Sequence, residues 1–445
     1  MKKIYSLIHV TPSSKIKYLM NNFIVRSVMK VASGTAFAQI IALLLIPFIT
    51  KVYGAESYGI MGVYLSTLAL LTSIVALTLP RAIVLPEKRE EAQAITAVSF
   101  KIIISMTILS FIILIFTKNK IMTLLGIETI GNWILLVPIA AFFSGILQIT
   151  QQWAIRENQF GIFAKTAVYQ SLYNYGGKVL TGWITPITAN LIIISSIVDL
   201  LRANTIMFSL KHRMDINFGF FQKNQWKNRR LLKKYKNFPL YQAPEEFIDA
   251  ISQGIPVIIL TVFFGPMSAG FYTLSRMVIS TPSSLLGNAI NDVYYPRLAQ
   301  AKQNNEPIRP ILIKATKALI LVGAFPYTVF FIFSPLIFEI IFGEEWRTAG
   351  EYSRWLVLWI YMMFVNGPSV KALIVIGAQK WSLKFTIITL IFRLMLLIIG
   401  AAYFKDELIA IILFAVLGFI INITLILQTF IKVRKFDESK GGDID

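Results

Sequence analysis

The chain has 445 residues, 56% of them hydrophobic and only 15% charged, with a mean hydropathy of +0.66. A soluble domain of this size could not hide that much apolar surface in one core, and the apolar residues come in runs of about twenty, enough to cross roughly 30 Å of hydrocarbon as a helix. Barrel strands would give alternating segments of about ten residues instead, and the absence of cysteine excludes disulfides, iron–sulfur clusters and thiolate metal sites.

Only two histidines occur, His9 and His212, both in polar segments outside the predicted spans, which excludes a histidine metal centre or an intramembrane histidine relay. The net charge of +20 would suggest nucleic acid in a soluble domain. In a membrane chain it is explained by Lys and Arg anchoring one set of loops against the headgroups, so no nucleic-acid partner is expected.

The predicted class is an all-α polytopic membrane protein of about twelve transmembrane helices in two pseudo-repeated six-helix lobes. Residues 1–30 read as a cytoplasmic segment, polar and basic, with no h-region or cleavage site; the first helix should serve as an uncleaved signal-anchor. Helices are expected near 31–50, 58–79, 94–116, 132–153, 166–184 and 188–208, forming an N-lobe over 31–208. A basic cytoplasmic linker follows at 209–240, containing KNRRLLKK at Lys227–Lys234. A C-lobe over 241–431 holds helices near 244–264, 268–290, 315–342, 352–376, 384–403 and 408–430, and 432–445 is a cytoplasmic tail. With the N-terminus inside, the cytoplasmic segments hold about 28 Lys and Arg and the outer loops about 5, which sets the orientation by the positive-inside rule. Both termini are then cytoplasmic, in a bacterial inner membrane.

A repeat underlies this division. Gly54-Ala55-Glu56-Ser57-Tyr58-Gly59 lies between helices 1 and 2, and Gly265-Pro266-Met267-Ser268-Ala269-Gly270 lies between helices 7 and 8. Both read G-x-x-S-x-G, 211 positions apart. Pro86 and Pro296 follow at an offset of 210, and Leu125-Gly126 and Phe342-Gly343 at 217. Two six-helix halves in parallel orientation form a recurrent transporter architecture.

On these and further residues the chain resembles the Wzx-type polysaccharide flippases of the multidrug/oligosaccharidyl-lipid/polysaccharide (MOP) exporter superfamily. The resemblance runs from about residue 25 to near the end. Its carriers are Ile46-Pro47 with Tyr53-Gly54 and Tyr58-Gly59, then Pro80-Arg81-Ala82-Ile83-Val84-Leu85-Pro86 with the charged tail Glu87 to Glu91. Gly270-Phe271-Tyr272, Arg276, Pro282 and Tyr295-Pro296-Arg297-Leu298-Ala299 follow, then Phe342-Gly343-Glu344-Glu345-Trp346 with Ala349-Gly350. The resemblance implies a MATE-like fold and a flippase, not an enzyme. Its substrate would be a polyprenyl-diphosphate-linked oligosaccharide, such as an O-antigen or capsule repeat unit, and its partners membrane lipids, a polysaccharide polymerase and chain-length machinery. Two alternatives stay open: a multidrug or precursor-lipid exporter of the same superfamily, and a membrane polymerase or glycosyltransferase. The second would be expected to carry a large outer loop or a carboxylate-rich cytoplasmic domain. The polar extension Met1 to Asn22 is not required by the family pattern.

Charges at bilayer depth are costly unless they face protein or water, so depth selects the candidates. Lys101 and Lys371 lie near helix ends and can snorkel, and Lys314 and Lys317 read as anchors. Deeper lie Lys178, Arg202, Arg276 and Arg393, the candidate substrate contacts; cations offset the dehydration of a diphosphate. Against this, such charges can simply bond neighbouring helices, and Asp199 and Arg202, spaced i, i+3, could neutralise each other. Asp249, Glu246 and Asp199 are the candidate ion-coupling groups. Glu245 and Glu246 also fit an ordinary helix start after Pro244, whereas Asp249 lies one turn further in and could share a proton or Na⁺ with them. No cofactor or metal is expected beyond a possible H⁺ or Na⁺. Trp133, Trp346 and Trp381 are expected in an interfacial belt. Tyr169, Tyr173 and Tyr175 fit packing or sugar stacking, and Gly176-Gly177 marks a loosened stretch beside Lys178.

Overall fold

The computed structural model describes residues 23–125, 128–210 and 233–441. The segment Met1 to Asn22 with His9, the greater part of the basic linker with His212, and Gly126 fall outside the described residues, as do the side chains of 282–293.

Twelve helical rods make up the described chain. The first continuous helix, Phe23–Val75, breaks at Gly54 (φ 71°, ψ 174°), so it comprises α1 (23–53) and α2 (55–75). Then come α3 (Arg89–Leu125) and α4 (Leu136–Arg156), followed by α5 (160–184) and α6 (Thr188–Ser209). The second half comprises α7 (238–264), α8 (Pro266–Gln303), α9 (Arg309–Phe342), α10 (347–375), α11 (379–404) and α12 (Glu407–Gly441). By length and apolarity alone nine segments among the described residues qualify as spans, the α1–α2 hairpin counting as one. The other two are α5, which a π-helical turn at Leu172–Gly176 divides, and α8, which carries Arg276, Asn288, Asn291 and Asp292. The protein is an all-α, multi-pass membrane protein.

Several helices run past the expected limits. α3 begins at Arg89 and α8 continues to Gln303, because hydropathy ends at the headgroups whereas the i→i−4 ladder continues until a cap or breaker stops it. Turns alternate between two ends of the bundle. The hairpin end carries the α1–α2 and α7–α8 turns, and the linker end carries residues 76–88, 157–159 and 304–308.

At the hairpin end the two G-x-x-S-x-G turns do the same three jobs. Their first glycines adopt nearly the same positive-φ conformation, 71° at Gly54 and 87° at Gly265, which only glycine takes without strain. Their serines each dock the sixth helix of their own half: Thr188 at the start of α6 donates to Ser57 Oγ at 2.9 Å, and Ser268 donates to Glu407 at the start of α12. Their last glycines lie against the opposite turn, across the α2–α8 contact. A Cβ on Gly59 would overlap the Pro266 carbonyl, and one on Gly270 would overlap that of Ala55. Small residues are what let helix backbones approach this closely in a bilayer. Above this contact sits Trp346, fully buried, with Tyr58 and Phe271 edge-on at 5.8 Å each. Its expected place in an interfacial belt is therefore corrected. The tryptophan is core, since rings from both halves cover it. Trp133, 41% exposed, keeps a surface position.

At the linker end the halves meet through side chains. Arg81 pairs with Glu246, Thr78 Oγ1 donates to the Phe238 carbonyl at 3.0 Å, and Lys234 and Tyr235 reach Glu91 at 2.5 and 3.0 Å. The Pro80–Pro86 stretch folds as a 3₁₀ turn, Leu79–Val84. The Arg156 guanidinium fixes this region by donating to the carbonyls of Ile83, Pro86 and Glu87 at 3.0, 2.6 and 3.1 Å. A satellite core (Leu298, Ala301, Ile308, Leu312, Ala372, Val375 and Val433) ties α8, α9, α10 and α12 together. Asp437 caps the start of α9 through the amides of Ile308 and Arg309 at 3.0 and 2.9 Å.

Candidate functional site

Between the halves, α2, α7 and α8 line an open cavity of about 290 Å³. Gly62, Ser66 and Ala69 of α2 form one wall, Gln253 and Gly254 of α7 another, and Tyr272, Thr273 and Arg276 of α8 the third. Gly254 keeps α7 near α2, since a Cβ there would stand 3.2 Å from the Ser66 Cβ. Among the described residues Arg276 is the one charged residue in the lining, and no carboxylate accompanies it. Its Nη1 donates to the Gln253 carbonyl at 2.7 Å and its Nη2 to the Gln253 side-chain carbonyl.

Arg393 stands behind this wall and does not line the cavity. Only 8% exposed, its guanidinium lies 3.9 Å from the Trp359 ring centroid and 4.1 Å from that of Phe414. Aromatic faces stabilise a cation without neutralising it. Gly418 leaves the room, because a Cβ there would come 3.3 Å from Arg393 Nε. Nε and Nη2 have no hydrogen-bond partner among the described residues, nor has the buried Tyr272 hydroxyl, and Tyr272 is within electrostatic range of both Arg276 and Arg393.

The remaining candidates fall in or near the first half. Lys178 is 3% exposed, with Nζ 3.5 Å from Met61 Sδ and 5.9 Å from the Tyr175 ring centroid. It follows the π turn at Leu172–Gly176, where the sequence reading placed a loosened helix. Asp199 and Arg202 do not pair directly. Ser144 donates to Asp199, Gln170 Nε2 donates to Asp199 Oδ1 at 3.3 Å, and Arg202 Nη1 donates to Gln170 Oε1 at 2.6 Å. Gln170 thus joins acid and base into one network across α4, α5 and α6. In α7, Glu246 is taken by Arg81, while Asp249 is exposed. The candidates therefore divide between the inter-half cavity and its wall (Arg276, Arg393), the interior of the first half (Lys178, Asp199, Arg202), and the linker end (Glu246, Asp249).

Sequence reasoning passed over Gln253, Gln170, Ser144 and the Trp359–Phe414 pair, because neutral side chains at bilayer depth raise no alarm. One signal was present: Gln253 lies four residues after Asp249, on the same helical face. Among the described residues no cluster of three or more potential metal ligands occurs.

A family model described as "Polysaccharide biosynthesis protein" matches residues 29–351. The chain is 22% identical over 248 residues, 55% of its length, to the teichuronic acid biosynthesis protein TuaB of Bacillus subtilis (strain 168). That match takes in 50% of the relative, so the chain spans about half the length of this curated relative. Among solved structures it resembles the inward-facing form of a multidrug resistance MATE family transporter of the MOP superfamily, with a TM-score of 0.74 and 13% identity. The superposition covers 89% of this chain and 95% of that one. It also resembles the lipid II flippase MurJ in an inward closed conformation, with a TM-score of 0.70, 14% identity, and 91% and 89% covered. At such identities these likenesses establish the fold.

Proposed function

Since the chain belongs to the polysaccharide biosynthesis protein family and has the fold of MOP-superfamily transporters, we propose that it is a flippase for a polyprenyl-diphosphate-linked oligosaccharide. The observation that carries this reading is the inter-half cavity, whose lining among the described residues has a guanidinium and no carboxylate. A lipid diphosphate entering low dielectric needs compensating cations, and Arg offers it a planar fork. A cavity for cationic drugs would need the opposite sign. Arg276 takes the diphosphate, and Arg393 adds positive potential from behind the wall without touching it. Lys178 and Arg202 serve the first half in the same sense.

The hairpin end is the outer side in this proposal, and both termini face the cytoplasm of a bacterial inner membrane. The outer side is shut by backbone packing at Gly59 and Gly270, and the cytoplasmic side is bridged by polar side chains that separate at little cost. Rocking of the halves exposes the cavity to each leaflet in turn. We assign ion coupling, by H⁺ or Na⁺, to Asp199. Glu246 already has Arg81 as partner, and Asp249 is exposed, whereas Asp199 sits inside the half with neutral donors that suit either protonation state. The repeat unit carried is an O-antigen or capsule unit, delivered to a polymerase and its chain-length machinery.

The test is deletion of the gene in its host. Lipid-linked repeat units are expected to accumulate on the cytoplasmic leaflet while surface glycan disappears. Unaffected surface glycan with increased drug sensitivity would reject the reading in favour of drug export.

A further inference from the structure

We infer that Gln253 is a built-in surrogate for the substrate's anionic group, occupying the Arg276 fork until a diphosphate displaces it. The inference rests on the proposed diphosphate site. Two terminal guanidinium nitrogens donate to two oxygens of one residue, the Gln253 main-chain carbonyl at 2.7 Å and its side-chain carbonyl. That is the two-oxygen pattern a phosphate or carboxylate presents to arginine, here supplied by a neutral residue.

The main-chain oxygen is available for a local reason. A carbonyl oxygen carries two lone pairs, so the Gln253 oxygen, one helical turn before Val257 in α7, can accept from Arg276 in addition to an amide of its own helix. The surrogate meets the donors of a cation that would otherwise stand unsatisfied at bilayer depth, where unmet charge is costly.

Neutrality is the essential property. A charged donor on a neutral acceptor is held more weakly than a charge-assisted pair on both sides, so a diphosphate can replace Gln253. A lipid with no anionic oxygens competes poorly, because it would break two bonds and offer no charged acceptor in return. Gln253 therefore sets a threshold that favours a phosphate-bearing lipid over an uncharged one. A glutamate at 253 would raise that threshold and close the site by forming an ion pair.

The experiment uses the full chain in nanodiscs at fixed ionic strength, with farnesyl diphosphate, farnesyl monophosphate and farnesol as probes followed by thermophoresis. Wild-type protein is expected to prefer them in that order. Gln253→Ala should bind the diphosphate about tenfold tighter, as loss of one competing hydrogen bond to a charged group implies. Gln253→Glu should bind it at least about tenfold more weakly, and the gain should vanish in Gln253→Ala/Arg276→Ala. A Gln253→Ala protein no tighter than wild type, or a gain that survives loss of Arg276, overturns the surrogate role alone. The nearly isosteric Gln253→Glu keeps the test decisive where the alanine variant does not fold: undiminished binding by it also overturns the role. Wild-type protein that does not distinguish farnesyl diphosphate from farnesol overturns the proposed function, and the surrogate role falls with it.

Discussion

Gly59 and Gly270 occupy matching positions in two repeats and lie against each other: a Cβ built on Gly59 would stand 2.9 Å from the Gly270 nitrogen, and one built on Gly270 would stand 3.0 Å from the Gly59 nitrogen. Each position is glycine because the other half's backbone fills the space a side chain would need. Gly59→Ala and Gly270→Ala should each destabilise the closed hairpin end by about 1–3 kcal/mol, the usual range for overpacking. Because both crowd the same contact, and one shift of the backbones accommodates either methyl, the double variant should cost less than the sum. Thermal melting of the detergent-purified protein measures this, and strictly additive losses would show that the two glycines do not share a contact.

The linker end should behave differently. Side chains there carry the contact, with Arg81 and Glu246 53% and 33% exposed, and pairs this exposed contribute about 0–1 kcal/mol. Glu246→Gln should leave the melting temperature nearly unchanged. Since the chain has no cysteine, Arg81→Cys/Glu246→Cys can be bridged cleanly by a short thiol-specific linker. Bridging should stop glycan export, and export should return when a cleavable linker is cut. Undiminished export in fully bridged protein would mean that this end need not open.

Arg393 separates stability from transport. Its charge is buried between Trp359 and Phe414 with two donors unmet, and an apolar side chain of similar length removes that desolvation burden. Arg393→Met should melt at or above the wild-type temperature, yet export at least about tenfold less surface glycan if positive potential behind the cavity drives binding. A variant that loses stability but keeps export would reassign Arg393 to packing.

Arg276 depends on shape as well as charge. Arg276→Lys keeps the charge but loses the planar fork, and its export should fall by about tenfold or more, the scale of one charge-assisted hydrogen bond. Export at the wild-type rate would mean that charge alone suffices.

Asp199 tests the coupling assignment. Asp199→Asn is isosteric; its amide oxygen can accept from Gln170 Nε2 while its NH₂ donates to the Ser144 hydroxyl oxygen in place of the bond Ser144 gave the carboxylate, so the protein should fold. Flipping of a fluorescent diphosphate lipid in proteoliposomes should then lose its response to an imposed H⁺ or Na⁺ gradient. A response that persists would move coupling elsewhere.

The sequence by itself determined the all-α membrane class, the run of spans, and the paired glycine turns at 54–59 and 265–270. Apolar length and special backbone angles are local properties that a one-dimensional pattern records. It also selected the charges at bilayer depth, because such residues are rare there whatever they face. Only the tertiary structure decided how those charges differ. Arg276 lines the inter-half cavity and Arg393 stands behind it in an aromatic sandwich, while Gln170 joins Asp199 to Arg202. It likewise moved Trp346 from a belt to the core, and brought Gln253 to Arg276. These relations join residues 21 or more positions apart, some of them on separate halves, and they depend on which faces meet when helices pack. In a bilayer, apolar surface carries little information about that choice, because lipid and protein are equally apolar; the small residues and polar contacts that make it act only once the helices are together.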